Sequence, residues 1–232
     1  MAYPGGKNGA GVYQILINLI PPHDVYIESH LGGGAIMRNK RPAKISIGVE
    51  IDSSVAAMWQ PELHNRQDLT VINGDAVEFL KGYSFSGNEF VYCDPPYLME
   101  TRKSGQLYLF EYEPDQHVEL LETIKKLPCS VMISGYQSDL YDSHLRGWSV
   151  RSFAAQTRGG SPATEYVWFN YPEPVKLHDY SYLGCNFRER ERIKRKKQRW
   201  VNRLEKMPML ERRALLKAID EVFYDPGPYR QN

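Results

Sequence analysis

Apolar residues recur at helical spacing over Ala10–Ile20, and the Pro21-Pro22 pair ends that repeat. Beyond it the period switches several times. Asp24–Glu28 reads as a short strand running into a Gly32-Gly33-Gly34 turn, with Ala35–Asn39 opening a helix. Lys44–Glu50 is apolar and β-branched, as a buried strand is, and Asp52-Ser53 caps the helix that follows. Leu69–Asn73 predicts a strand, Asp75 a helix start that runs through Leu80, and Glu89–Cys93 a strand ending at Asp94-Pro95-Pro96-Tyr97. Asp115–Lys126, behind Pro114, predicts a helix, Ser130–Ser134 a strand, Ser138–Leu145 a helix and Trp148–Phe153 a strand. After Gly159-Gly160 a last strand covers Glu165–Tyr171. Strands alternating with helices imply an α/β fold, a doubly wound and mainly parallel sheet. The last two strands have no helix between them and are expected to form an antiparallel hairpin at one edge.

The end of the chain is different in kind. Asn186–Lys206 holds ten Lys/Arg, three Glu and the aromatics Phe187 and Trp200, and reads as a long basic helix. Pro208 breaks it, and Met209–Val222 resumes as an amphipathic helix. The expected organisation is therefore an α/β domain over residues 1–175 and a basic helical extension over 176–232.

Composition sharpens that division. The formal charge of +1 is a sum of opposites. Residues 1–183 carry 15 basic and 21 acidic side chains, and residues 184–232 carry 14 basic and 7 acidic. An acidic body with a basic end suggests a polyanionic partner despite the near-neutral total. The apolar stretch Val12–Ile20 is interrupted by Gln14 and Asn18 and is far shorter than the roughly 20 residues that span a bilayer, so no membrane role is expected. The first residues show no basic segment followed by an apolar core, so no secretory signal is expected. Three cysteines at wide spacings offer neither a disulfide framework nor a zinc site. The expectation is a reduced, cytoplasmic protein without a metal.

Ligands of doubly wound sheets bind beyond the carboxyl ends of the strands, and the unusual residues of this chain fall there. In Asp94-Pro95-Pro96-Tyr97, two prolines remove two backbone donors and stiffen the chain just after a buried strand. A carboxylate beside an unpaired carbonyl can accept both hydrogens of a planar amine, and Tyr97 offers a flat surface for the ring that carries it. The plainer alternative is a strand-ending turn with a capping Asp. Glycines after the first strand let backbone approach a ligand closely, although Met37 stands where a dinucleotide fingerprint needs its third glycine; a simple loop and helix start remains the alternative. Glu50 ends the second strand, where an acid can accept both hydroxyls of a ribose. Asp52 is read as an N-cap, and Asp75 either accepts from an adenine amine or caps its own helix. Tyr3-Pro4-Gly5-Gly6-Lys7 is unusual so close to a terminus unless something packs on it.

Tyr3–Lys7, Glu28–Ile36, Val49–Asp52, Asn73–Asp75 and Asp94–Tyr97 occur in the order found in Dam-like DNA adenine-N6 methyltransferases, and over roughly residues 2–172 the chain resembles that family. The resemblance implies a Rossmann-like fold that uses S-adenosylmethionine. It places Tyr3, Lys7, Glu28, Gly32, Gly34, Glu50, Asp75 and Asp94 around the cofactor, with the glycine loop near its methionine part, Glu50 on the ribose and Asp75 near the adenine. It gives Asp94, Pro95 and Tyr97 to catalysis on the N6 amine of a flipped adenine. Tyr3 stands where tryptophan is usual and Glu50 where aspartate is usual. The family also commonly carries a target-recognition domain between the ribose acid and the DPPY strand, and here only Ser53–Cys93 is available.

DNA contacts must then come from elsewhere. The candidates are Arg102, Lys103 and Tyr108 in the loop after Tyr97, and Arg188, Arg192, Arg195, Lys196 and Arg199 in the basic helix, a charge run that is otherwise simply a solvated face. Two other functions compete with DNA methylation. One is transfer to an amine or amide of RNA or protein. The other is a non-catalytic DNA-binding protein built on the same scaffold.

Overall fold

The computed structural model describes residues 6–9, 11–102, 109–156 and 162–223. They form two compact units, residues 1–182 and 183–232. In chain order the first unit comprises α1 (Val12–Ile17), β1 (Val25–Glu28), α2 (Ala35–Asn39), β2 (Ile45–Glu50), α3 (Ser53–Ala57), α4 (Gln60–Asn65), β3 (Leu69–Asn73), α5 (Ala76–Gly82), β4 (Glu89–Cys93), α6 (Pro114–Ile124), β5 (Ser130–Gly135), α7 (Asp139–His144), β6 (Ser149–Gln156) and β7 (Pro162–Phe169). The helix expected after Asp52 is two helices, because Pro61 fits only in the first turn of a new one.

The strands form one seven-stranded sheet in the order β3-β2-β1-β4-β5-β7-β6. The pairs from β3 to β5 are parallel, while β7 runs antiparallel to both β5 and β6. This is the expected Rossmann-like sheet with its antiparallel edge pair. Side-chain alternation splits the core between its two faces. Tyr26, Phe90, Tyr92, Met132 and Phe169 meet α1 and α2 on one side. Ile27, Val91, Cys93, Ile133 and Trp168 meet α5, α6 and α7 on the other. β4 is buried along its whole length, as the central strand of such a sheet must be.

Strand order reverses between β1 and β4, so the chain leaves their carboxyl ends in opposite directions and opens a cleft there. The loop after β1 is shaped by glycine. Gly32 and Gly34 have φ of 44° and 57°, in the left-handed region. A Cβ on Gly34 would overlap the Trp59 ring, whose indole nitrogen donates to the Gly32 carbonyl at 3.0 Å.

The second unit comprises α8 (Phe187–Glu205) and α9 (Met209–Phe223). Asn186 caps α8 by accepting from the Glu189 N–H. Residues 177–179, beyond the last strand, are buried within the first unit.

Gly34→Ala should lower unfolding stability by about 1–3 kcal/mol, because Trp59 must move and the backbone is strained. Denaturant titration checks this; an unchanged midpoint would contradict it.

Candidate active site

An open cleft with about 800 Å³ of empty space lies over the β1–β4 switch point. Its lining brings together Lys7, Glu28, Gly32, Gly34, Glu50, Asp75 and Asp94, which with Tyr3 are the residues that the resemblance implies around a cofactor, and Pro96 stands beside them.

Glu50 ends β2 with its carboxylate fixed from both sides. One oxygen accepts from the Gly32 N–H at 2.7 Å and the other from the Asp52 N–H at 2.9 Å. Those bonds set the plane of the carboxylate and leave a lone pair on each oxygen. They also tie the glycine loop to the second strand. Burial pushes the Glu50 carboxyl up, against these main-chain donors. Asp75 caps α5, its Oδ1 accepting from Val77 and Glu78, and it lines the cleft as well. The two roles considered for it are compatible. Asp52 is the N-cap of α3, as expected.

Glu28 forms part of the floor. One of its oxygens accepts from the Tyr26 hydroxyl and the Met37 N–H, both at 3.0 Å. Burial pushes its carboxyl up to about 8, so it is mostly protonated at neutral pH. Beside it, His30 bonds Tyr112 through Nε2 at 3.0 Å and Ser29 through Nδ1 at 2.9 Å, and burial depresses its pKa to about 3. The floor is thus largely uncharged.

Charge gathers instead around Asp94. Its Oδ1 accepts from Lys7 Nζ at 2.6 Å and from the Ser134 hydroxyl at 2.7 Å. Ser134 gives its one proton to Asp94, so the Tyr92 hydroxyl 2.9 Å away donates to Ser134. Tyr97 donates to Glu165 at 2.9 Å, and Lys7 Nζ lies 3.8 Å from the same glutamate oxygen and 4.8 Å from the centre of the Tyr97 ring. Tyr136 meets the Tyr97 ring edge-on, centroids 4.7 Å apart. Pro95 is buried beside them.

Sequence reasoning missed Ser134 and Glu165. Both follow the two-residue alternation of buried positions: Ser134 is in phase with Met132, and Glu165 with Val167 and Phe169. A polar side chain in phase with a core face was the available signal.

Arg102 departs from its expected role. It is nearly buried, its guanidinium grips both oxygens of Glu111 and it donates to the Tyr97 carbonyl. It braces the DPPY segment rather than facing a phosphate. Tyr3, Lys103 and Tyr108 lie outside the described residues. In the second unit, Arg188, Arg192, Arg195 and Arg199 share one face of α8 and line a shallow recess with Phe187 and Glu191. Lys196 falls to the side of that stripe at the helical spacing.

Among the described residues no cluster of His, Cys, Asp or Glu is arranged to hold a metal ion, and no helix is long and apolar enough to cross a membrane.

Residues 52–155 match the D12 class N6 adenine-specific DNA methyltransferase family, in agreement with the Dam-like resemblance of the ordered motifs. No curated protein sequence matches the chain. Among solved structures, a conserved hypothetical protein from Streptococcus pyogenes superposes with a TM-score of 0.50 at 13% identity, over 72% of this chain and 99% of its own. The putative methyltransferase yhhF from Escherichia coli does so at 0.45 and 18%, over 65% and 76%. A putative methyltransferase from Streptococcus mutans, in complex with SAH, does so at 0.47 and 11%, over 68% and 94%. At 13% identity the first of these likenesses speaks for the fold alone.

The buried acid Glu28 gives a pH prediction. The stability tied to this group is present below its ordinary value of 4.5 and is lost as pH rises through about 8. Glu28→Gln cannot ionise, so thermal melts should favour it over wild type progressively from about pH 5 to about pH 8. A difference independent of pH would contradict the assignment.

Proposed function

We propose, on the premise that this chain is a methyltransferase of the D12 kind, that it transfers a methyl group from S-adenosylmethionine to N6 of an adenine turned out of DNA. One observation carries the reading. Asp94 stands at the switch point with Oδ1 held by Lys7 and Ser134, and the Tyr97 ring is anchored beside it.

The cleft suits this cofactor chemically. Besides the mostly protonated Glu28, its described lining holds the carboxyl groups of Glu50, Asp52, Asp75 and Asp94 against the one lysine, Lys7, which suits a ligand bearing an ammonium and a sulfonium. Glu50 has the lone pairs and the fixed plane to accept from a ribose diol, and the Gly32–Gly34 loop brings backbone close with no side chain in the way. Asp75 stands where the adenine end would lie. When bound, S-adenosylmethionine supplies an electrophilic methyl group on a sulfonium.

The chain's own residues do the rest. With both described bonds on Oδ1, Asp94 can turn Oδ2 to the incoming amine, accept one of its hydrogens and stand as the nearest base for its proton. The Pro95 carbonyl is the second acceptor, and two acceptors in one plane aim the nitrogen lone pair out of the ring. Tyr97 is the flat platform for the base, which leaves the duplex at a cost of a few kcal/mol. The work is positioning and electrostatics.

DNA itself is held by the second unit. Arg188, Arg192, Arg195 and Arg199 recur over roughly 17 Å of helix, spaced to meet successive phosphates with bidentate guanidinium groups. Such groups position a protein without reading bases. Residues 53–93 are filled by α3, α4, β3, α5 and β4, which leaves no recognition domain between ribose acid and DPPY strand. The target is therefore short or relaxed.

Wild-type protein with labelled S-adenosylmethionine should label adenine in DNA, and Asp94→Ala should lose at least a hundredfold of that rate, the scale on which positioned acid–base groups act. Equal labelling by both, or labelling of RNA or protein in preference to DNA, would sink the assignment. Replacing the four α8 arginines with glutamine should reduce the slope of log affinity against log salt by up to about 3–4, at roughly 0.9 for each phosphate left without its cation, with cofactor binding unchanged. An unaltered slope would remove α8 from the interface. Sequencing of the modified DNA should show a short site; a defined target of about six base pairs would contradict the lack of a base-reading domain.

A further inference from the structure

Glu165 opens the Glu165–Asn170 stretch, which looks like a downstream strand of the Dam-like family, but it lies outside the five ordered motifs and the sheet does not require it. It sits on β7 in phase with Val167 and Phe169, a phase that points into the core, and its backbone partner across the edge pair is Phe153. An apolar residue would serve the packing better, because a carboxylate removed from water must recover its hydration from specific partners. Two such partners stand beside it. The Tyr97 hydroxyl donates to Oε2 at 2.9 Å, and Lys7 Nζ lies 3.8 Å from the same atom.

Both partners belong to the centre described above. Lys7 is shared, 2.6 Å from Asp94 and 3.8 Å from Glu165, so one cation spans two carboxylates from strands separated by β5. Tyr97 is held at three points. Its hydroxyl is tied to Glu165, its carbonyl accepts from Arg102, and its ring has Lys7 Nζ over it. A hydrogen bond at the far end of a phenol ring fixes the direction in which the side chain points and so where the ring stands. Glu165 supplies that fixed point.

We infer that Glu165 is a positioning residue: by accepting from the Tyr97 hydroxyl and sharing Lys7 with Asp94, it locks the aromatic platform and the acceptor carboxylate into one preset unit. The inference rests on the reading of Tyr97 as the platform for a flat base. It assigns the tyrosine hydroxyl a task of its own, apart from its ring, and it distinguishes the hydrogen bond from the charge. A glutamine at 165 keeps an acceptor for the phenol, whereas an alanine removes it.

The test is a double-mutant cycle read in methyl transfer to DNA, with cofactor affinity by calorimetry and thermal midpoint measured on every variant. Glu165→Ala and Tyr97→Phe should each lower kcat on the order of tenfold, the worth of one hydrogen bond to a charged group. Cofactor affinity should stay within about twofold, and the double variant should be no slower than the worse single one. Glu165→Gln should keep kcat within about threefold of wild type, because it preserves the acceptor. A merely structural glutamate would lower the midpoint without this pattern in kcat. Should Glu165→Ala fail to fold, Tyr97→Phe and Glu165→Gln still decide. A Tyr97→Phe rate equal to wild type, or a Glu165→Gln rate as low as that of Tyr97→Phe, overturns the inference, as do losses that multiply across the cycle. In all three cases wild type still labels adenine and the reading of function stands. Wild type that labels no adenine removes the reading, and this inference with it.

Discussion

Asp94 is a carboxylate set just past the end of a fully buried strand, and such a group needs partners built around it. Taking it largely out of water costs several kcal/mol unless its lone pairs are met by donors of good geometry. The chain meets them from two directions, Lys7 from the segment ahead of α1 and Ser134 from β5 with the Tyr92 hydroxyl behind it, while Glu165 on β7 shares the lysine. The strand order also sets how close Glu165 comes to the shared lysine. If β6 rather than β7 followed β5 in the sheet, the strand that carries Glu165 would lie one position further from Lys7. The lead into α1 must likewise return over the carboxyl ends of the strands.

What a strand carries by itself is legible in a sequence, and what it acquires from its neighbours is not. β1, β4 and β5 were legible because alternation and burial are properties of a single strand, and β4 ends on the residue where its apolar run stops. Asp94, Glu50 and Asp75 were legible as strand-end acids, since any doubly wound sheet presents those positions to a ligand. Ser134 and Glu165 were not, because a hydroxyl or carboxylate within a strand acquires its role from lateral neighbours. For Glu165 the neighbour is two strands away, across an antiparallel pairing. Arg102 was misread for the reason in reverse. Beside Lys103 it resembles a basic patch, yet Glu111, nine residues on, takes both of its guanidinium arms. The break between α3 and α4 was written in Pro61, which the interior of one helix running on from Ser53 could not hold.

Charge is arranged on the same principle at the scale of the whole chain. Within the cleft, burial drives the Glu28 carboxyl toward its neutral form and holds His30 neutral, so the floor presents little net charge. The acids that remain stand at the strand ends, where main-chain N–H groups or Lys7 meet them. A site of that character favours a cationic small ligand and opposes a phosphate backbone, whose charge it would repel over about a Debye length. On the proposed function the protein must hold both, and it cannot put both affinities in one surface. The sequence keeps them apart: the acids of the cleft lie in the first unit and the arginine stripe in the second. On the proposed reading, cofactor affinity should be nearly indifferent to salt while DNA affinity is steeply dependent on it, because only the arginine face releases counterions when it engages. The near-zero net charge of the chain is the arithmetic residue of two surfaces with opposite electrostatic requirements.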